Sequence, residues 1–458
     1  VGILSEIREI SGPTPKRLER VGAHSHIRGL GVDENLRAKL VADGMVGQTR
    51  AREAAYLVVK MAKEGKLSGK GVLVAGPPGT GKTALAVGIA RELGEDVPFI
   101  VLSGSEIYSA ERRKTDVLME AMRKAIGVRL HEMRKIYEGE VTKLDVRYAS
   151  NPYNPYYQIP RSARITLETK KQSRTFEVGE GVAAQLVELG VREGDVIQID
   201  AETGRVARVG RSSSSKELYE IETEKTVPKP DGDVMKEKEF IYTMTLYDLD
   251  ELFARRRGSG IASLLFGFSA EKEISSEIRA SVDEQVSEWV KEGRAEIIPG
   301  VLFIDDVHMM DIEALSFLAR AMEGELVPII VMATNRGITT IRGTDVKSPF
   351  GLPLDLLDRL VIITTDKYNE EEIREILKIR AAEEKIELER EAFDSLVKIG
   401  AETSLRHAVQ LLSMAGVRAR SMSRDKVLPE DVEEVKKLYT DVKQAMEHLR
   451  KYESELLS

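Results

Sequence analysis

No cysteine occurs among the 458 residues, which removes disulfides, thiolate metal sites and thiol nucleophiles together and leaves non-covalent chemistry and oxygen-bound metal. No apolar run is long enough to span a bilayer, so no membrane-spanning helix is expected. The first residues, Val1 to Arg8, lack the basic, apolar and small-residue succession of a secretory signal, and the chain reads as cytoplasmic, or nuclear in a host with a nucleus. A formal net charge of −8 argues against a surface that clings to nucleic acid everywhere, though a local basic channel stays open.

What is present is a globular composition. Hydrophobic residues make up 42%, which excludes wholesale disorder, and the length suits roughly two to four domains. With 31% charged residues crowded into Glu/Lys/Arg helices and no thermolabile cysteine, the chain is compatible with a thermophilic source.

The octapeptide Gly76, Pro77, Pro78, Gly79, Thr80, Gly81, Lys82, Thr83 follows the apolar run Gly71 to Ala75 and opens a helical stretch. This G-x-x-x-x-G-K-T pattern between strand and helix is a phosphate-binding loop. Glycines let the backbone curl around phosphate oxygens, Lys82 reaches the β- and γ-phosphates, and the Thr83 hydroxyl suits Mg²⁺. A second apolar strand ends at Asp305 and Asp306, where a parallel sheet delivers side chains to its ligand crevice. Asp305 is the expected indirect Mg²⁺ ligand, and Asp306 is placed to polarise an attacking water. About 220 residues separate the two motifs, several-fold more than a compact nucleoside-triphosphatase core needs, so a large segment is inserted between them.

Strand-like runs at 71–75, 98–102, 301–304, 328–333 and 360–364 alternate with helical patterns, the signature of a parallel sheet covered on both faces. Between 140 and 245 the pattern shifts to short alternating stretches. Four of them, 164–170, 174–178, 195–200 and 205–209, suggest a small β-barrel, followed by a loop at Ser212 to Ser215. From Asn369 onward the chain is helical. Asn369 supplies an N-cap before Glu370, Glu371 and Glu372, and Val442, Met446, Leu449 and Leu456 mark an apolar stripe on a terminal helix.

Taken in order, Val21 to Gly31, Gly44 to Gln48, 76–83, Val301 to His308, Ala333 to Gly337, Asp355 to Arg359 and Ser404 to Gln410 resemble the RuvB-like AAA+ ATPases of the pontin/reptin subfamily. The resemblance implies an α/β fold with an AAA+ parallel-sheet core in two segments, 1–128 and 296–366. An inserted domain with an oligonucleotide-binding-like (OB-like) β-barrel would occupy 129–295, and an all-α lid 367–458. It implies ATP or ADP with Mg²⁺ as cofactors. Asn335 matches the sensor that holds the attacking water or γ-phosphate, Arg359 the arginine finger that reaches a neighbouring subunit's nucleotide, and Arg406 the second sensor. His24 and His26 match an adenine-pocket loop, Gly44 to Gln48, including Met45 and Val46, line the base from the other side, and Tyr368 and Ile376 close it from the lid.

A trans-acting Arg359 implies a homo-oligomeric ring, a hexamer, and the resemblance extends this to stacked double rings and to work on protein partners in complex assembly or chromatin remodelling. Two rival functions accompany that reading. One is a DNA-stimulated helicase motor using Arg161, Arg164, Lys170, Lys171 and Arg174 beside Tyr153, Tyr156 and Tyr157. Those tyrosines equally suit an extended loop packed on the barrel, and Arg255 to Arg257 suit a solvated turn. The other is a slow nucleotide-regulated scaffold. Asp306 stands where the family carries Glu, and a carboxylate one methylene shorter can lose roughly a hundredfold in rate through misplacement on the order of an ångström.

Overall fold

The computed structural model describes residues 24, 26–67, 69–109, 112–151, 154–213, 226–258, 274–439 and 446. The segment before His24, Tyr153, Ser214, Ser215 and the expected stripe at Val442, Leu449 and Leu456 lie outside the described residues, as do the side chains of Tyr156, Tyr157 and Arg255 to Arg257. Two compact units emerge. One contains Pro15–Val128, Thr243–Val290 and Glu296–Ser458, the other Arg129–Tyr242 and Lys291–Ala295, in each case among the described residues. No helix among the described residues is long and apolar enough to cross a membrane.

The first unit is built on a parallel sheet in the order Leu360–Thr364, Gly71–Ala75, Ile329–Thr334, Val301–Asp305, Phe99–Ser103. Its central strands read as unbroken apolar runs because helices cover both faces. Alternate residues divide between two cores. Leu73, Leu302, Ile304, Ile330 and Met332 pack with Leu118, Leu315 and Leu318 on one face. Val72, Val74, Phe303, Val331 and Ala333 pack with Val58, Val59, Leu85 and Ile89 on the other. Parallel strands place all their carboxyl ends on one side, and the loops after Ala75, Asp305 and Thr334 emerge there together.

The lid follows in the same unit. Helices Glu370–Glu383, Arg390–Glu402, Leu405–Ser421 and Pro429–Leu438 enclose their own core of Leu377, Leu396, Leu411, Leu412 and Val432. Its first helix starts where the sequence places it. The Asn369 side chain accepts from Glu372 N–H at 2.8 Å, and the Glu372 carboxylate accepts from Asn369 N–H at 2.8 Å, closing a capping box.

Residues 243–290, grouped with the inserted domain in the sequence reading, cluster instead with the core. The physical reason is a buried cation. Arg123 on the core helix Lys114–Lys124 makes a two-pronged ion pair with the fully buried Asp250 of helix Leu246–Gly258, and donates to Asp283 of helix Ser276–Lys291 at 2.7 Å. A desolvated guanidinium needs a close carboxylate partner, here chiefly the buried Asp250, and the two ion pairs tie both helices to the core.

In the second unit the strand order is Thr226–Val227, Val206–Ser212, Asp195–Asp200, Ile126–Asn151, Asn154–Glu168, Ser173–Val178. Helix Glu180–Glu188 packs Ala183 and Leu186 into a core with Val141, Ile165, Leu167 and Ile197. Ser212, expected in a loop, is the buried end of a strand and donates to Glu140 Oε2 at 3.0 Å.

Candidate nucleotide-binding site

The phosphate loop leaves the strand Gly71–Ala75 and ends at the helix Lys82–Leu93. Gly79 and Gly81 adopt φ of 77° and 81°, conformations that side chains other than glycine rarely take. Gly81 caps the helix without a side-chain acceptor, so the first-turn N–H groups remain for an anion. Beneath the loop, Thr80 Oγ1 donates to the Pro77 carbonyl at 2.8 Å and lies 2.6 Å from Thr365 Oγ1. Lys82 Nζ donates to the carbonyls of Gly76 and Pro77 at 2.9 and 2.7 Å. Burial pushes the Lys82 ammonium below its ordinary pKa, opposed by Asp305 and Asp306 and reinforced by Arg406.

Asp305 ends its strand, and its Oδ1 accepts the Asp306 N–H at 3.0 Å. Asp306 turns the chain with φ 48° and ψ 47°, a left-handed conformation that Asp tolerates better than most side chains. One turn later, His308 Nδ1 lies 3.2 Å from Thr334 Oγ1, and that hydroxyl accepts from Arg336 N–H at 3.2 Å. Burial lowers the His308 pKa, keeping the ring neutral.

These elements face a cavity of about 420 Å³ between the core and the lid. Of the residues expected at the site, His24, His26, Met45, Val46, Pro78, Gly79, Gly81, Lys82, Thr83, Asp305, Asp306, Asn335, Tyr368, Ile376 and Arg406 line it. Gly76, Pro77 and Thr80 are not among the lining residues. Gln48, expected beside the base, reaches the connection between strand Leu360–Thr364 and the first lid helix instead: its side-chain amide donates to the Asp366 carbonyl at 2.5 Å and accepts from the Asp366 N–H at 3.1 Å. Arg359 is elsewhere, half exposed and paired with Glu323 at 2.5 Å.

The apolar part of the lining comes from Ile27, Met45 and Val46 on the core side, from Ala84 on the first turn after the phosphate loop, and from Ile376, Ile379, Leu405 and Val409 on the lid. Burial, with His26 and Arg380 nearby, takes the His24 imidazole down to about 4, and burial with Arg380 also lowers His26. Both rings are neutral near pH 7. His26 Nδ1 is buried without a hydrogen-bond partner, a polar atom available to a bound base. Gly44 admits this packing, since a Cβ there would fall 2.2 Å from the His26 carbonyl oxygen.

An anion and a flat heterocycle fit this arrangement. A metal fits only alongside an anion. Thr83 and Asp305 both face the cavity, yet no group of three or more His, Cys, Asp or Glu side chains among the described residues could hold an ion unaided. Mg²⁺ commonly binds in that way, through one or two carboxylates completed by phosphate and water.

Sequence reasoning missed Ile27, Ile379, Arg380, Leu405, Val409 and Gln410. The lid residues among them recur at helical spacing, and that period does not distinguish a face turned to a cavity from one turned to a core.

A TIP49 P-loop domain matches residues 20–371 and a TIP49 AAA-lid domain residues 376–441. The RuvB-like protein 1 of Arabidopsis thaliana is 45% identical over 456 residues, covering 99% of this chain and 99% of its own. With its parallel P-loop core and helical lid enclosing the cavity, the chain belongs to the TIP49 family of RuvB-like, ATP-binding AAA+ proteins.

Proposed function

We propose that the chain is a ring-forming ATPase that converts nucleotide state into movement of its inserted domain, remodelling or assembling protein complexes. The observation that carries this reading is one cavity lined by the phosphate loop, Asp305, Asp306, Asn335 and the lid residue Arg406, with Arg359 outside it on the surface. Lys82 and the first-turn N–H groups hold the triphosphate, and Thr83 and Asp305 hold Mg²⁺, which would offset charge on the phosphate oxygens. Asp306 orients the attacking water, Asn335 fixes its position, and Arg406 links phosphate contact to lid position. Arg359 serves the site of the neighbouring subunit, exchanging Glu323 for that nucleotide on ring closure.

Asp306 sets the rate. Its left-handed backbone suits a short carboxylate, and the short reach slows hydrolysis by up to roughly a hundredfold. ATP turnover and bound-nucleotide content, measured for the chain, Asp306→Glu and Arg359→Ala, test the reading. Asp306→Glu should accelerate turnover, and Arg359→Ala should abolish it while nucleotide remains bound. A rate that stays slow in Asp306→Glu would favour a nucleotide-regulated scaffold.

A DNA motor has less support. On the exposed strands of the second unit, Asp145 pairs across from Arg164 and Arg164 from Glu177, and Arg147 bridges to Glu177 at 3.8 Å. Charges of alternating sign do not form a continuous phosphate track. Single-stranded DNA should leave turnover unchanged across a salt series.

A further inference from the structure

Arg52 lies outside the cavity, yet its guanidinium is fully buried on the helix Thr49–Lys63. Burying a cation is costly, and carboxylates usually compensate. Here the four hydrogen bonds described for it go to backbone carbonyls. Nε donates to Leu30 at 2.6 Å, Nη1 to Lys39 at 2.7 Å and Gly47 at 3.1 Å, and Nη2 to Gly31 at 3.0 Å. Asp43, Glu53 and Tyr368 act on it only through longer-range electrostatics.

Three of those carbonyls belong to two stretches of backbone that reach the cavity, and the fourth, Lys39, lies between them in sequence and outside the lining. Leu30 and Gly31 follow His24, His26 and Ile27; Gly47 follows Gly44, Met45 and Val46. Both stretches supply core-side lining, Ile27 from one and Met45 and Val46 from the other, facing the apolar lid residues across the cavity. A planar fork of five donors can span two separate loops, whereas one ammonium cannot. The fit is also tight. Gly31 has φ 59°, and a Cβ there would lie 2.4 Å from Arg52 Nη2. Glycine is therefore required where the guanidinium meets the loop.

We propose that Arg52 is the positioning residue for base recognition, clamping segments 27–31 and 44–47 into the wall against which the nucleotide base packs. This rests on the nucleotide reading of the cavity and adds the device that gives the site its base selectivity. The hydrogen bonds described for Arg52 do not reach the phosphate loop, so its loss should fall first on the base side of the site. Without the guanidinium the four carbonyls lose their donor, and the wall relaxes toward water.

The test is calorimetric titration of the full chain with Mg-ATP, Mg-GTP and Mg-tripolyphosphate, comparing wild type, Arg52→Met, Arg52→Lys and Gly31→Ala, with thermal unfolding run in parallel. Arg52→Met should weaken ATP at least about tenfold and flatten the preference of ATP over GTP, with tripolyphosphate changed less than about twofold. Arg52→Lys should fall between wild type and Arg52→Met. Gly31→Ala, whose Cβ would meet both Arg52 Nη2 and the Ala42 Cβ, should show the same selective loss, and Arg52→Lys, which leaves Gly31 and Ala42 untouched, decides the matter if Arg52→Met does not fold. Equal weakening of ATP and tripolyphosphate, or unchanged ATP affinity, in a folded variant would overturn the proposal. A wild-type chain that binds none of the three ligands would instead overturn the nucleotide reading itself.

Discussion

Thr80 and Thr365 place their hydroxyl oxygens 2.6 Å apart across 285 residues of sequence, joining the floor of the phosphate loop to the first residue of the hinge that leads into the lid. Both residues are buried. Since Thr80 already donates to the Pro77 carbonyl, Thr365 is the donor in this pair. Loop and hinge are therefore bonded directly.

Thr365→Val keeps the shape and removes that donor. The expected cost is about 1 kcal/mol, read from denaturant unfolding, because one buried acceptor loses a partner. Nucleotide affinity should fall with it. A variant with unchanged midpoint and unchanged affinity would contradict a coupling role for the pair.

Gly76→Ala should be far more damaging than Gly337→Ala. A Cβ on Gly76 would sit 2.2 Å from Thr365 Oγ1 and 2.5 Å from the Thr365 backbone oxygen, whereas at Gly337 it meets open space. Overpacking against backbone costs about 1–3 kcal/mol, and here it pries the loop from the hinge. Comparable thermal stability of the two variants would refute this.

Acid should disturb the base wall through His24. Its folded-state pKa of about 4 lies below the ordinary 6.5, so the unfolded chain binds more protons between those values. The contribution to stability is present above pH 6.5 and is lost as pH falls towards 4. An NMR titration of the His24 ring should show a midpoint near 4, and the pH dependence of unfolding should flatten in His24→Gln. A midpoint near 6.5 would show a solvated ring.

The Arg123 cluster predicts an asymmetry between two carboxylates. Asp250 is fully buried, while the Asp283 side chain is 41% exposed. Asp250→Ala leaves a buried guanidinium short of its main partner and should cost about 3–5 kcal/mol. Asp283→Ala should cost about 1 kcal/mol or less, since water can replace an exposed partner. Equal losses in chemical unfolding would argue against the burial account.

How far the sequence could be read depended on the range of the interactions. The phosphate loop, Asp305 and the Asn369 cap are local patterns whose chemistry lies within a few neighbours, and they sit where the sequence puts them. The parallel sheet was legible because strands covered on both faces are continuously apolar. Arg52 was not legible: an arginine one turn into a helix reads as a solvated face until the loop carbonyls that surround it are seen. The same holds for residues 243–290, whose attachment depends on Arg123 meeting Asp250 across 127 positions. Gln48 was placed beside the base, and only the fold reveals that its amide matches the backbone of Asp366.

The central claim is that the loop 76–83 holds a nucleoside triphosphate beneath the lid. Calorimetric titration of wild type and Lys82→Ala with Mg-ATP tests it most directly. Binding of one nucleotide per chain, weakened at least about tenfold when the charge-assisted contacts of Lys82 are removed, is the predicted result. Absence of binding in wild type, or the same affinity in Lys82→Ala, would contradict it.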